Sequence, residues 1–137
     1  MKNLYIFLII GLGFITISCN KESVNTQNEL MNNMLTNKSW YLDYSINGNN
    51  IKSYLGQSTY IITYYKDGRT EDSDGLMGSY TIEMVNNKSQ IHVQVKTNNR
   101  NPLEVVYDIV SVGTSKLVLL KNNSTQSSST QLFFSNK

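Results

Sequence analysis

The sequence predicts an all-β protein, an antiparallel up-and-down β-barrel of about eight strands with a short N-terminal helix. Three observations predict it. Apolar residues recur at period two from Ser39 onward. Asn, Gly, Asp and Ser gather between the apolar runs, where turn chemistry wants them. The chain holds a single proline, and none of its polar-flanked segments reads as a long amphipathic helix. Closure into a barrel is expected because an open sheet exposes unpaired backbone edges that invite aggregation. A barrel of about eight strands is filled by side chains or holds one small ligand.

Residues 1–18 form a unit of their own. Lys2 supplies a positive charge, residues 4–17 (LYIFLIIGLGFITI) are apolar and uncharged, and Ser18 is a small residue just before Cys19. That is the layout of a secretory signal peptide. The run of 14 residues is short of the roughly 20 a helix needs to cross a bilayer, so cleavage fits better than a membrane span. Cys19 is the only cysteine. Residues 15–19 resemble the lipobox of bacterial lipoproteins, with Thr16 where Leu is usual, a relaxed form common among lipoproteins of the Bacteroidota. The resemblance implies a lipid on Cys19 and a membrane anchor through it. The alternative is ordinary cleavage near Ser18, which leaves a lone reactive thiol in an oxidising compartment.

Residues 19–28 are polar and read as a flexible tether. Within them Lys21-Glu22 resembles the lysine-plus-acidic sorting signal that exports some such lipoproteins to the cell surface, with Ser23 in place of a second acidic residue. Solvated tether charges are the other reading. The expected address is the outer membrane, lipid-anchored, on the cell surface or the periplasmic face.

Residues 29–137 are expected to form the barrel domain. Removing Lys2 leaves eleven basic against ten acidic residues, a mature formal charge of +1. Lys and Arg are scattered with no basic stripe, so no nucleic-acid partner is expected. Leu30, Met31, Met34 and Leu35 suggest a short helix that must pack on something to persist. Trp40, Leu42, Tyr44 and Ile46 then point to one face, and Tyr41, Asp43 and Ser45 to the other. Asn47-Gly48 signals a hairpin, with a short return strand over 51–55. Residues 59–66 (TYIITYYK) form the next strand, ended by Asp67-Gly68. Glu71, Asp72 and Asp74 share an acidic loop closed by Gly75. Strands are expected over 77–85 and 90–96, separated by a turn at 86–88. Residues 98–102 form a loop, followed by strands at 104–112 and 116–121. A polar loop at 122–129 precedes the last strand, 130–135.

This pattern resembles the lipocalin-like domains of small Bacteroidota lipoproteins. Three stretches carry the likeness: a tryptophan strand after a short helix (35–40, LTNKSW), an aromatic strand running into Asp-Gly (64–68, YYKDG), and a Gly-x-aromatic strand (78–82, GSYTI). Tyr107-x-Ile109, a turn and Leu117-x-Leu119 complete it. The likeness covers residues 35–134. It implies a lipocalin-like barrel and no particular activity.

Catalytic chemistry finds little material. His92 is the single histidine and lies on the polar face of its strand, with no Cys or second His to complete a zinc or nucleophile constellation. Residues 72–75 (DSDG) look like part of a calcium loop. Aligning Gly75 with the sixth position puts Thr70 at the first and Thr81 at the twelfth, where carboxylates are needed, so a full EF-hand is excluded. No enzyme activity, cofactor or metal is expected. The aromatic residues are the most suggestive group: Trp40, Tyr44, Tyr60, Tyr64, Tyr80 and Tyr107 face inward under one register. They either pack a narrow barrel solid or line a ligand cavity with polar hydroxyls. The expected function is therefore binding of a small amphipathic or apolar ligand by a lipid-anchored envelope protein. The alternative is a non-enzymatic scaffold whose loops, 98–102 and 122–129, contact an envelope protein or glycan.

Overall fold

The computed structural model describes residues 19–57, 60–96, 102–122 and 129–137. Among them helix α1 (Cys19–Leu35) is followed by β1 (Lys38–Asn47), β2 (Asn50–Ser53), β3 (Ile61–Tyr64), β4 (Arg69–Asp72), β5 (Met77–Val85), β6 (Lys88–Val95), β7 (Leu103–Val112), β8 (Lys116–Asn122) and β9 (Ser129–Asn136). The signal-peptide segment, 1–18, lies outside the described residues.

From β3 to β9 each strand pairs antiparallel with the next, and β9 closes back on β1. The opposite edge of β1 carries two strands: residues 38–41 pair with β3 and residues 44–47 with β2. β2 and β3 therefore run in line. Two backbone bonds carry the ladder across the break, from Tyr54 N–H to the Asp43 carbonyl at 2.8 Å and from Leu42 N–H to the Tyr60 carbonyl at 2.9 Å. The architecture is a closed eight-strand antiparallel barrel with β2 as one extra strand, in accord with the predicted fold class.

The eight barrel strands are not quite the expected ones. The segment expected to be an acidic loop contributes β4, so Glu71 and Asp72 are strand residues. Its composition, Arg-Thr-Glu-Asp, hides the strand, because inside the barrel only Thr70 is fully buried. The helix is also longer than its apolar pattern, and it takes in the 19–28 segment expected to be a tether. No Gly or Pro interrupts residues 19–35. Once the last turn is fixed, the helix propagates backwards at little cost.

That last turn is fixed firmly. Asn37 adopts a left-handed φ of 58°, the backbone that ends many helices. Thr36 donates its N–H and its hydroxyl to the Asn32 carbonyl, at 3.0 and 2.8 Å. Trp40 Nε1 donates to the Leu35 carbonyl at 2.8 Å. Leu35 is buried with Trp40, Leu42, Ile62, Tyr64, Tyr80, Ile91, Val93, Leu117, Leu119 and Phe134 in one core cluster. The helix thus plugs one end of the barrel.

Strand direction separates the two ends. The plugged end carries the turns at 65–68, 86–87 and 113–115. Asn86 and Asn87 both take positive φ, 50° and 61°, as a two-residue type I′ hairpin needs. The other end carries the turn at 48–49, the 73–76 turn, and the last residues of β6 and β8.

Two irregularities set which side chains point inward. In the β1–β9 ladder the register shifts between Leu42 and Tyr44, so Asp43 is the extra residue of a β-bulge. Trp40 and Leu42 face the core before the bulge. After it Tyr44 pairs with Phe133 and Ile46 with Gln131, while Ser45 pairs with Leu132. Because Leu132 and Phe134 pack on the core, Phe133 faces out, and Tyr44 with it. A second shift, between Ile109 and Ser111 in the β7–β8 ladder, leaves Val110 exposed.

Candidate functional site

Among the described residues, side chains fill the interior near the plugged end and leave space toward the other end. A cavity of about 240 Å³ lies there, walled by Ile62, Thr70, Asp72, Gly78, Val93, Val95, Leu103 and Val105, with Tyr60, Tyr107, Asp74 and Leu76 completing it. The wall is a contiguous belt of cross-strand partners: Ile62↔Asp72, Thr70↔Gly78, Gly78↔Val95, Val95↔Leu103 and Val93↔Val105. All belong to the inward parity of their strands. Gly78 is central to this wall. A Cβ there would lie 2.4 Å from the Gln94 carbonyl oxygen, so only glycine lets the β5 backbone come this close to β6.

The cavity is apolar on most of its wall and polar at one place. The Tyr60 hydroxyl donates to Asp72 Oδ2 at 3.1 Å. Asp72 Oδ1 accepts the N–H groups of Asp74 and Leu76, at 3.0 and 2.9 Å. The carboxylate therefore organises the 73–76 turn and presents itself at the cavity mouth. Burial, followed by the negative charge of Asp72, holds the Tyr60 phenol well above its ordinary value. Burial raises the Tyr107 phenol as well.

Tyr64 stands deeper and has no solvent exposure. Its ring meets Tyr80 edge-on at 5.0 Å, and its hydroxyl has no hydrogen-bond partner among the described residues. Burial pushes its phenol far up, with Tyr107, Tyr60 and Tyr80 adding to the rise in that order. A buried hydroxyl left unpaired is costly, on the order of 1–3 kcal/mol.

The six residues expected to line the interior divide three ways. Tyr60 and Tyr107 line the cavity. Trp40, Tyr64 and Tyr80 are buried in the packed core, with the Tyr80 hydroxyl within 2.8 Å of Asn32 Oδ1 and 2.9 Å of the Tyr65 carbonyl. Tyr44 is outside the barrel, stacked on Phe133, because the Asp43 bulge reverses the alternation that put it inward. Sequence reasoning missed Thr70 and Asp72 as interior residues. The signal was their own period-two spacing just after the Asp67-Gly68 turn.

Cys19, Lys21 and Glu22 fall in the first turns of α1. Of the two loops expected to contact a partner, 98–102 and 122–129, residues 98–101 and 123–128 lie outside the described residues. His92 faces outward between Thr81 and Val106, with Nδ1 3.3 Å from Glu104 Oε1. Among the described residues no cluster of three His, Cys, Asp or Glu side chains is placed to hold a metal ion, and no helix is long and apolar enough to cross a membrane.

Fold and site together define a small closed antiparallel β-barrel, plugged by a helix at one end and, among the described residues, holding a cavity toward the other. No protein-family model matches the chain, and no curated protein matches it.

Proposed function

We propose that this chain is a lipid-anchored envelope lipoprotein whose lipocalin-like barrel captures a small amphipathic molecule, with no bond made or broken. The observation that carries the reading is the cavity of about 240 Å³ inside the barrel, apolar on its walls and polar at Tyr60 and Asp72. Ligand sites of small-molecule binders share that composition, mostly apolar lining with a few placed polar groups. At about 30 Å³ per water-sized atom, the space suits a ligand of about eight heavy atoms.

The anchor is assigned to Cys19 on the lipobox-like layout of residues 15–19, and outer-membrane sorting to Lys21 and Glu22. On this reading the lipid sits at the start of the helix that plugs the closed end. The open end is then left to face solution, where a ligand arrives.

Native mass spectrometry of the protein extracted from its own host tests the proposal. The expected result is a small-molecule adduct that organic solvent removes. A bare polypeptide mass from a preparation whose barrel is shown to be folded would count against it.

A further inference from the structure

We infer that the cavity selects a ligand with a cationic or hydrogen-bond-donating head, an amine on a short apolar body, and rejects the matching carboxylate. This rests on the ligand-capture reading and goes beyond it by naming the head group.

Among the described residues the charges lining the cavity are of one sign. Asp72 and Asp74 both line it, and no Lys or Arg does so among the described residues. A fatty-acid carboxylate entering here meets like charge across a partly dry space, where Coulomb forces are stronger than in water. An ammonium meets opposite charge.

Acceptor capacity points the same way. Asp72 Oδ1 is used by two backbone N–H groups. Among the described residues Oδ2 accepts only the Tyr60 hydroxyl, and a carboxylate oxygen takes about two hydrogen bonds. One acceptor site on Oδ2 is therefore left beside the cavity. The Tyr60 proton is committed to Asp72, so its oxygen also turns an acceptor toward a donor. The apolar walls, Ile62, Val93, Val95 and Val105, offer nothing but methyl groups to the ligand body.

Calorimetric titration with three probes of equal length tests the inference: n-octylamine, n-octanol and n-octanoate. The full chain is held in a non-ionic detergent, and Asp72→Asn in the same detergent controls for partitioning. The substitution keeps the Oδ1 acceptor that holds the 73–76 turn and removes the charge. Octylamine is expected to bind at least about tenfold tighter than octanoate, with octanol between them. Asp72→Asn should bring octylamine to the level of octanol. If that variant does not fold, salt gives the same information. Raising ionic strength from about 0.01 M to about 1 M should weaken octylamine and leave octanol unchanged. Octanoate binding as tightly as octylamine overturns the head-group assignment while leaving the capture reading intact. Failure of all three probes overturns both.

Discussion

Trp40 and Leu35 are joined by a hydrogen bond from the indole N–H to the helix's last carbonyl, at 2.8 Å, with both residues buried. A terminal helix carbonyl has no partner within its own helix, and here the first strand supplies one. The same contact seats Leu35 under the core. Helix and barrel are thereby coupled at the helix's last turn, with a second tie where the Tyr80 hydroxyl donates to Asn32 Oδ1.

Replacing Trp40 with Phe should therefore cost more than the lost ring volume. It leaves the Leu35 carbonyl buried without a donor and opens a void in the core. A loss of about 3 kcal/mol is expected, read from the urea midpoint. Far-ultraviolet circular dichroism should show helix lost before the barrel melts. A single transition with unchanged stability would contradict this role.

The Tyr44–Phe133 stack, with centroids 4.3 Å apart and planes 14° apart, lies on the outer surface. Tyr44→Ala should cost about 1 kcal/mol of stability, as should the coupling measured in a double-mutant cycle with Phe133→Ala. Capture of the ligand should be unaffected. Weakened capture in the folded Tyr44→Ala protein would place the side chain inside after all.

Gly78→Ala is expected to destabilise by about 2 kcal/mol. The added methyl group would sit 2.4 Å from the Gln94 carbonyl oxygen, and that neighbour is backbone. Gly113 is the natural control, since the nearest atom to its Cβ position is 3.9 Å away. Equal midpoints for the two alanine variants in urea would show that β5 and β6 are not packed this closely.

Alkaline pH should unfold the protein through its buried phenols. Burial raises Tyr64, Tyr60, Tyr107 and Tyr80 above the ordinary tyrosine value. The folded state then keeps protons that the unfolded chain has given up, so this stability is present below about pH 10. It is lost as pH rises through the folded values, which for Tyr80 means a window from 10.0 to about 12. Urea midpoints measured alongside phenolate absorbance check this. Midpoints that stay level through the window would contradict it.

Much of the fold was legible because period-two patterning and turn chemistry are local signals. Asn86-Asn87 and Asp67-Gly68 turn where their residue types demand, and Ile91, Val93, Leu117 and Leu119 alternate into the core as their strands predict. The misses have physical causes. A bulge at Asp43 adds one residue to one strand, and nothing in Leu-Asp-Tyr marks it. That single residue moved Tyr44 from the interior to the surface. β4 is charged and short, so its place in the barrel is set by its neighbours on both sides rather than by its own propensity. The cavity was legible only as a choice between filled and hollow. Aromatic residues at inward positions give the same pattern either way, and the outcome turns on how the valine-rich wall of β6 and β7 meets Tyr60 and Tyr107.

The cavity toward the open end is the central claim, and xenon-pressurised crystals test it most directly, because xenon enters apolar cavities of this scale. Xenon density bounded by Ile62, Val93, Val105 and Tyr107 is the predicted result. Crystals that take up no xenon, with the Tyr60 and Tyr107 rings folded into the space, would contradict it.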